Sequence, residues 1–268
     1  KIGIEGTFSK GVEEGTWTYF YETGEKWRSG VYSSGMREGL WTTWYESGKK
    51  LHEGEYVSGK EFGAWKSWYE NGNLNYAGSF NEGLKNGEWK GFYINGTPKY
   101  IINYKKDVRH GKEVHYHENG NLESESFYID GIYDGAWKRY NQNGKVTESG
   151  FFANGKKDGL WKYYNQMGVL SYEQEFSDDV PHGKFVEYMG NERKVTEGTF
   201  KNGERAGTWT YWDKYGNRTL TMTFKDGKMV SKQAYESNRP DQRPGTPNQN
   251  RNQKKNNKPK VNNSKRFR

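Results

Sequence analysis

Polar and apolar residues alternate along this chain in short runs, and a glycine interrupts the alternation at a fixed interval. It stands at Gly15, Gly39, Gly63, Gly87, Gly111, Gly135, Gly159, Gly183 and Gly207, every 24 residues without a slip. Two residues later comes Trp17, Trp41, Trp65, Trp89, Trp137, Trp161 or Trp209, with Glu113 and Phe185 in the other two units. Five residues after each glycine there is an aromatic, from Phe20 and Trp44 to Tyr188 and Trp212. A third ladder runs from Phe8, Tyr32 and Tyr56 through Tyr128 to Phe200 and Phe224. Self-similarity at one fixed period marks a repeat architecture, each unit being one supersecondary element.

Alternation with period two belongs to strands, and glycine is too frequent for helices with a 3.6-residue stripe. Each unit reads as a strand of about six residues, a tight turn, a second strand and a glycine-containing loop to the next unit. Glu70-Asn71-Gly72, Glu118-Asn119-Gly120 and Gln142-Asn143-Gly144 predict two-residue type I′ turns, in which both central residues carry positive φ. A loop at Thr23-Gly24 would pair Phe20 with Trp27, Trp17 with Gly30 and Tyr32 with Gly15. A large ring would then lie across from a bare glycine twice per hairpin and cover it. Eighteen or so strands at about 4.8 Å each make a twisted meander on the order of 85 Å long. Residues 1–11 form the second half of a hairpin.

Composition supports a thin array. Apolar residues are 31% of the 268, while aromatics reach 17%. Burial must therefore come from rings in thin layers, not from a thick aliphatic core. Cysteine is absent, which excludes disulfides and thiolate metal sites. No run approaches the ~20 apolar residues of a membrane span. The net charge is +8, but Arg239 to Arg268 holds ten Lys or Arg against Asp241, which is +9 and leaves −1 for the remainder. With its prolines and single aromatic, Phe267, this tail cannot bury enough surface to fold alone. The expectation is all-β: about nine 24-residue hairpin repeats over residues 1–235 and a disordered basic tail over 236–268.

The run Gly6-x-Phe8-x-x-Gly11-x-x-x-Gly15-x-Trp17, repeated as Gly30-x-Tyr32-x-x-Gly35-x-x-x-Gly39-x-Trp41, resembles the MORN repeat family. It is closest to the bacterial MORN-variant repeat with a Gly-x-Trp-x-x-Tyr-x-x-Asn-Gly core, over residues 1 to about 230. The resemblance implies an elongated β-hairpin array that binds proteins, with lipid association in some members. Bacterial chains of this kind are often labelled as antitoxins, and others resemble secreted or envelope-attached accessory proteins. The pattern is broken at Glu113 and around Asp178–Asn191, where Asp179 replaces the loop glycine and Gly190 comes early. Distorted or specialised hairpins are expected there.

Three groups of residues are candidate sites. On one strand face Glu113, His115 and His117 project together where other units carry Trp, and two histidines with a carboxylate could ligate Zn²⁺. A solvated polar strip in a degenerate unit is the stronger reading, so no metal or other cofactor is expected. Tyr21, Tyr45, Tyr69 and Tyr93 recur only in the first four units, on the face of the aromatic ladder. They suit a protein partner, because tyrosine brings large area at low rotamer cost, and they equally suit sheet packing. In the tail Arg251, Lys254, Lys255, Lys258, Lys260, Lys265, Arg266 and Arg268 could attach electrostatically to an acidic protein, an anionic membrane or a polymer. Without interleaved aromatics the tail offers single-stranded nucleic acid no stacking platform.

No P-loop, HExxH or GxSxG motif occurs, and carboxylates are scattered instead of paired. The expectation is a non-enzymatic protein–protein interaction scaffold, an accessory subunit of a bacterial envelope complex in the periplasm or at the outer membrane. The chain begins at Lys1, and the envelope reading expects a signal or lipid anchor ahead of it. The alternatives are a cytoplasmic antitoxin-like inhibitor of a toxin partner, and peripheral membrane or polyanion binding through the tail.

Overall fold

The computed structural model describes residues 3–190 and 192–236. These form a single antiparallel sheet of 22 strands, with no helix among the described residues. Strands pair in chain order: Gly3–Ser9 with Val12–Phe20, that strand with Lys26–Ser33, and so on to Arg218–Lys225 with Lys228–Ala234. The all-β hairpin meander is therefore as the periodicity predicts. The tail from residue 237 lies outside the described residues.

Trp17 pairs with Gly30 and Gly15 with Tyr32, as expected, but Phe20 pairs with Lys26. A bulge between Tyr19 and Phe20 takes up Trp27, and its cause is the turn. Gly24 N–H donates to the Tyr21 carbonyl at 3.0 Å and Tyr21 N–H to the Glu25 carbonyl at 2.8 Å, which closes a three-residue loop. Only its glycine is left-handed, with φ 91° at Gly24 and at Gly72, and Asn71, Asn119 and Asn143 keep negative φ. The Asn-Gly dipeptides are thus type I turns followed by a glycine bulge. Asn71 and Asn119 act through their side chains, each Oδ1 accepting the N–H two residues on at 3.0 Å.

The type I′ turns lie at the opposite edge, in the links between units. Lys10-Gly11 has φ 50° and 84°, and Ser34-Gly35 has φ 51° and 78°. Asp178-Asp179 adopts the same turn with φ 52° and 69°, so the missing glycine distorts nothing. Asp179 keeps the backbone bond that the link glycines make, its N–H donating to the Lys157 carbonyl at 3.0 Å, and adds a side-chain one, its Oδ1 accepting the Lys157 N–H at 2.7 Å. Nor is the strand that carries Glu113 broken, since Val108–Tyr116 is continuous. The interruptions fall at Asn86 and Asp134, where the strands Leu84–Lys85 and Gly87–Phe92, and Ile132–Tyr133 and Gly135–Tyr140, separate. Near Gly190 the strand Val180–Met189 is lengthened to 10 residues, with Met189 paired to Arg193.

With one sheet and no covering layer, an aromatic can leave water only by lying on the sheet. The Trp row does this, and Trp161 and Trp209 are 0% and 1% exposed. Six of these indoles lean onto a glycine of the preceding strand, among them Trp17 on Gly6, Trp41 on Gly30, Trp161 on Gly150 and Trp209 on Gly198, whereas Trp137 has Ser126 at that place. A Cβ at any of these glycines would fall inside the ring. The indole Nε1 then reaches the next carbonyl, Thr7 from Trp17 at 3.2 Å and Val31 from Trp41 at 3.1 Å. The 24-spaced glycine has another task. Gly39 and Gly207 lie under no ring but have φ 66° and 62°, forming the bulge that tips the following Trp.

Between the tryptophans the third ladder stands edge-on. Ring centroids lie 5.0 Å apart for Tyr32–Trp41, 5.3 Å for Tyr56–Trp65 and 4.9 Å for Phe80–Trp89, all near-perpendicular. Such pairs contribute about 0.5–1.5 kcal/mol each beyond area burial. The zipper stops at Glu113 and resumes with Phe152–Trp161 and Phe200–Trp209, both at 5.0 Å.

Candidate interaction surfaces

Tyr21, Tyr45, Tyr69 and Tyr93 are half-buried, not exposed, at the three-residue-loop edge. Their hydroxyls donate to carbonyls of the next unit: Trp44 at 2.8 Å, Trp68 at 2.9 Å, Phe92 at 2.8 Å and Tyr116 at 2.8 Å. His117 occupies the next step, its Nε2 at 3.1 Å from the Tyr140 carbonyl. Beyond it Asn141, Asn165 and Asp213 turn back on their own loops, Asn165 Oδ1 accepting from Met167 N–H at 2.9 Å and Val169 N–H at 3.1 Å. The tyrosine row thus ties neighbouring units, Asn141 both caps its own turn and donates from Nδ2 to the Gln166 carbonyl of the next unit at 2.8 Å, and Asn165 and Asp213 cap single turns.

Of the metal candidates, Glu113 and His115 meet, Oε1 to Nε2 at 2.7 Å, while His117 is held at the loop edge. Among the described residues no group of three His, Cys, Asp or Glu could hold a metal. Glu113 is buried in the place of a Trp, where its Oε2 lies 3.4 Å from Arg109 Nε. The glycine a Trp would need here is Ile102, itself buried. The tail cations Arg251, Lys254, Lys255, Lys258, Lys260, Lys265, Arg266 and Arg268 lie outside the described residues.

Sequence reasoning missed a row of cations on the aromatic face. Arg37, Lys85, Arg109, Lys157 and Arg205 each stand two residues before a 24-spaced glycine, so the signal was there to read. All five sit against rings, Lys157 at 3.9 Å from Trp161 and Arg205 at 4.3 Å from Trp209. In the first three hairpins this face opens a cleft of about 260 Å³ lined by Trp27, Arg28, Arg37, Trp41, His52 and Tyr56. Arg28 lies 4.1 Å from the Tyr19 ring centre, and Arg37 donates to the Tyr56 hydroxyl at 2.9 Å. Burial raises the pKa of Tyr56 above the usual phenol value and lowers that of His52, which favours its neutral ring.

The other face carries a different surface. Phe127, Ile129, Ile132, Phe151 and Leu160 share it and are 43–51% exposed. Where the strand breaks at Asp134 a groove of about 600 Å³ opens beside Phe127 and Ile129, lined also by Lys112, Glu125, Ala136 and Lys138. Glu125 is held below the usual carboxylate range by Lys112, at 2.8 Å, and by the Tyr140 hydroxyl at 2.7 Å. Burial, then the hydrogen bond to Glu125, pushes Tyr140 up to about 12.

Five consecutive units, at residues 37–58, 63–82, 85–106, 109–130 and 133–156, match the family model of the MORN repeat variant. Residues 37–156 are MORN repeats. Outside that stretch the same contact recurs at Trp17 on Gly6 and Trp209 on Gly198, though not at Phe185, which has Gln174 in the glycine's place. MORN repeats are commonly protein-binding repeats. No curated protein matches the chain. Among solved structures, TcdB2-TccC3 aligns at 10% identity and a TM-score of 0.20, covering 86% of this chain and 15% of that one. The Photorhabdus luminescens Tc holotoxin pore aligns at 12% identity and a TM-score of 0.20, covering 85% of this chain and 15% of that one. The chain thus spans about 15% of the length of these chains.

Proposed function

We propose that this MORN protein is a non-enzymatic scaffold that docks another protein on the face carrying Phe127, Ile129, Ile132, Phe151 and Leu160. The observation behind this reading is their exposure, 43–51%, around the groove at the break in the sixth unit. Clustered exposed apolar side chains with charges at the margin, here Lys112, Glu125 and Lys138, are the composition of a protein interface. The half-buried rings of Tyr21, Tyr45, Tyr69 and Tyr93 would add contact area at one edge, but not their hydroxyls. The partner's identity separates an envelope subunit from a toxin inhibitor.

The test is a pull-down with the full chain and with an F127D/F151D variant. Both side chains face solvent, so the variant should keep the wild-type circular dichroism. The wild type should retain a stoichiometric partner and the variant should lose it. Equal retention by both, or no partner for the wild type, overturns the proposal.

A further inference from the structure

We propose that the cleft between Arg28 and Arg37 on the aromatic face is a receptor for a carboxylate side chain of an acidic peptide segment on a partner protein. This rests on the protein-binding reading above and adds a second contact, on the opposite face.

Both guanidinium groups line one cleft, and among the described residues neither is in an ion pair. Of the equivalent cations elsewhere on this face, Arg109 has Glu113 at 3.4 Å and Lys157 has Glu148 at 2.9 Å, while Lys85 and Arg205 stand singly against rings, and among the described residues only in this cleft do two cations without a carboxylate line one site. In the cleft the nearby polar groups are phenols, the Thr43 hydroxyl and the His52 ring, and no carboxylate lines it. Arg37 Nη1 donates to Tyr56, and the Tyr19 and Tyr32 hydroxyls lie 3.4 Å apart. Arg28 Nε is buried with no acceptor. Two cations with a spare donor, in a partly water-excluded cleft, lack an anion.

The walls set the chemistry of that anion. Arg28 is held against Tyr19 and, at 4.6 Å, Trp27, and Arg37 against Trp41 at 4.8 Å and Tyr56 at 5.1 Å. Stacking orients each planar guanidinium and leaves its edge free for a carboxylate, which it can meet with two parallel hydrogen bonds. At about 260 Å³ the cleft is smaller than the roughly 300–1,000 Å³ of small-molecule sites. It has room for one side chain presented from a partner's surface, and its Trp and Tyr walls would take the apolar neighbours of an acidic residue.

A fluorescein-labelled peptide of alternating glutamate and leucine, and its glutamine twin, would be titrated into the full chain by anisotropy. The acidic peptide should bind about tenfold more tightly than the twin. R28Q/R37Q should abolish that difference, and R28K/R37K should recover only part of it. The basic tail could also attract the peptide, so K254Q/K255Q serves as control and should leave binding unchanged. Binding insensitive to R28Q/R37Q, or lost in K254Q/K255Q instead, overturns the assignment. If R28Q/R37Q fails to fold by circular dichroism, quenching of wild-type tryptophan fluorescence by the acidic peptide decides, and no quenching refutes it. Retention of the pull-down partner by R28Q/R37Q, with peptide binding unchanged, would sink this site alone and leave the scaffold standing.

Discussion

The indole of Trp41 lies on the backbone of Gly30, and its Nε1 donates to the neighbouring Val31 carbonyl at 3.1 Å. The same three-residue relation, with Trp eleven positions after its glycine, holds in six of the nine units, and it couples two sequence ladders that look independent. A single-layered sheet has no other way to dry so large a ring.

This makes glycine substitutions unequal. Gly30→Ala puts a methyl inside the ring of Trp41 and should cost about 3 kcal/mol, near the upper end for overpacking. Gly39→Ala meets no atom within 4 Å and bears only the left-handed backbone penalty, about 1–2 kcal/mol. Urea unfolding followed by tryptophan fluorescence would rank them, and equal midpoints would contradict the stacking argument.

At the fifth unit the same rule predicts non-additivity. Glu113→Trp alone should destabilise, because the Ile102 side chain occupies the place of the ring, and Ile102→Gly alone should leave a cavity costing about 2–5 kcal/mol. The double variant should fit the ring and recover at least about 1 kcal/mol relative to the summed singles. Strict additivity in a double-mutant cycle would show that the pair is not coupled.

The two loop-edge solutions should respond differently. Tyr69→Phe removes the bond to the Phe92 carbonyl of the next unit and should cost about 1 kcal/mol in denaturant unfolding. Asn165→Ala should act within its own loop, where Met167 and Val169 N–H donate to Oδ1 at 2.9 and 3.1 Å. Hydrogen exchange at those two amides should quicken in Asn165→Ala and stay at the wild-type rate in Tyr69→Phe.

Acid should weaken the array through His52 and Glu125. Burial lowers the His52 pKa below 6.5, so the unfolded chain binds the proton first, and stability falls as pH drops from 6.5 through the folded value. Glu125, lowered by Lys112 and Tyr140, contributes stability above the ordinary carboxylate range that is lost as pH falls through its folded value. His52→Gln should flatten the first loss and leave the second, as read from urea midpoints across the acid range. An unchanged slope near neutral pH would show that His52 titrates equally in both states.

The 24-residue spacing, the period-two alternation and the lack of aliphatic mass were enough to specify an antiparallel hairpin meander, because only strands use that alternation and only a repeat keeps that period. Turn type was not legible. Asn71-Gly72 has the composition of a type I′ turn, yet the three-residue loop and its bulge decided otherwise, and the type I′ geometry went to links such as Lys10-Gly11 and Asp178-Asp179. Nor could spacing show that Tyr69 ties two units together while Asn165 caps one, since both choices depend on where the next unit's carbonyl lies. The cleft of Arg28 and Arg37 came from tertiary structure for the same reason: their nearness follows from the pairing of the strands that carry them and from the bulge opposite Gly30. Local pattern determines which residues can form a strand, whereas the bulges set which face and which neighbour each side chain meets.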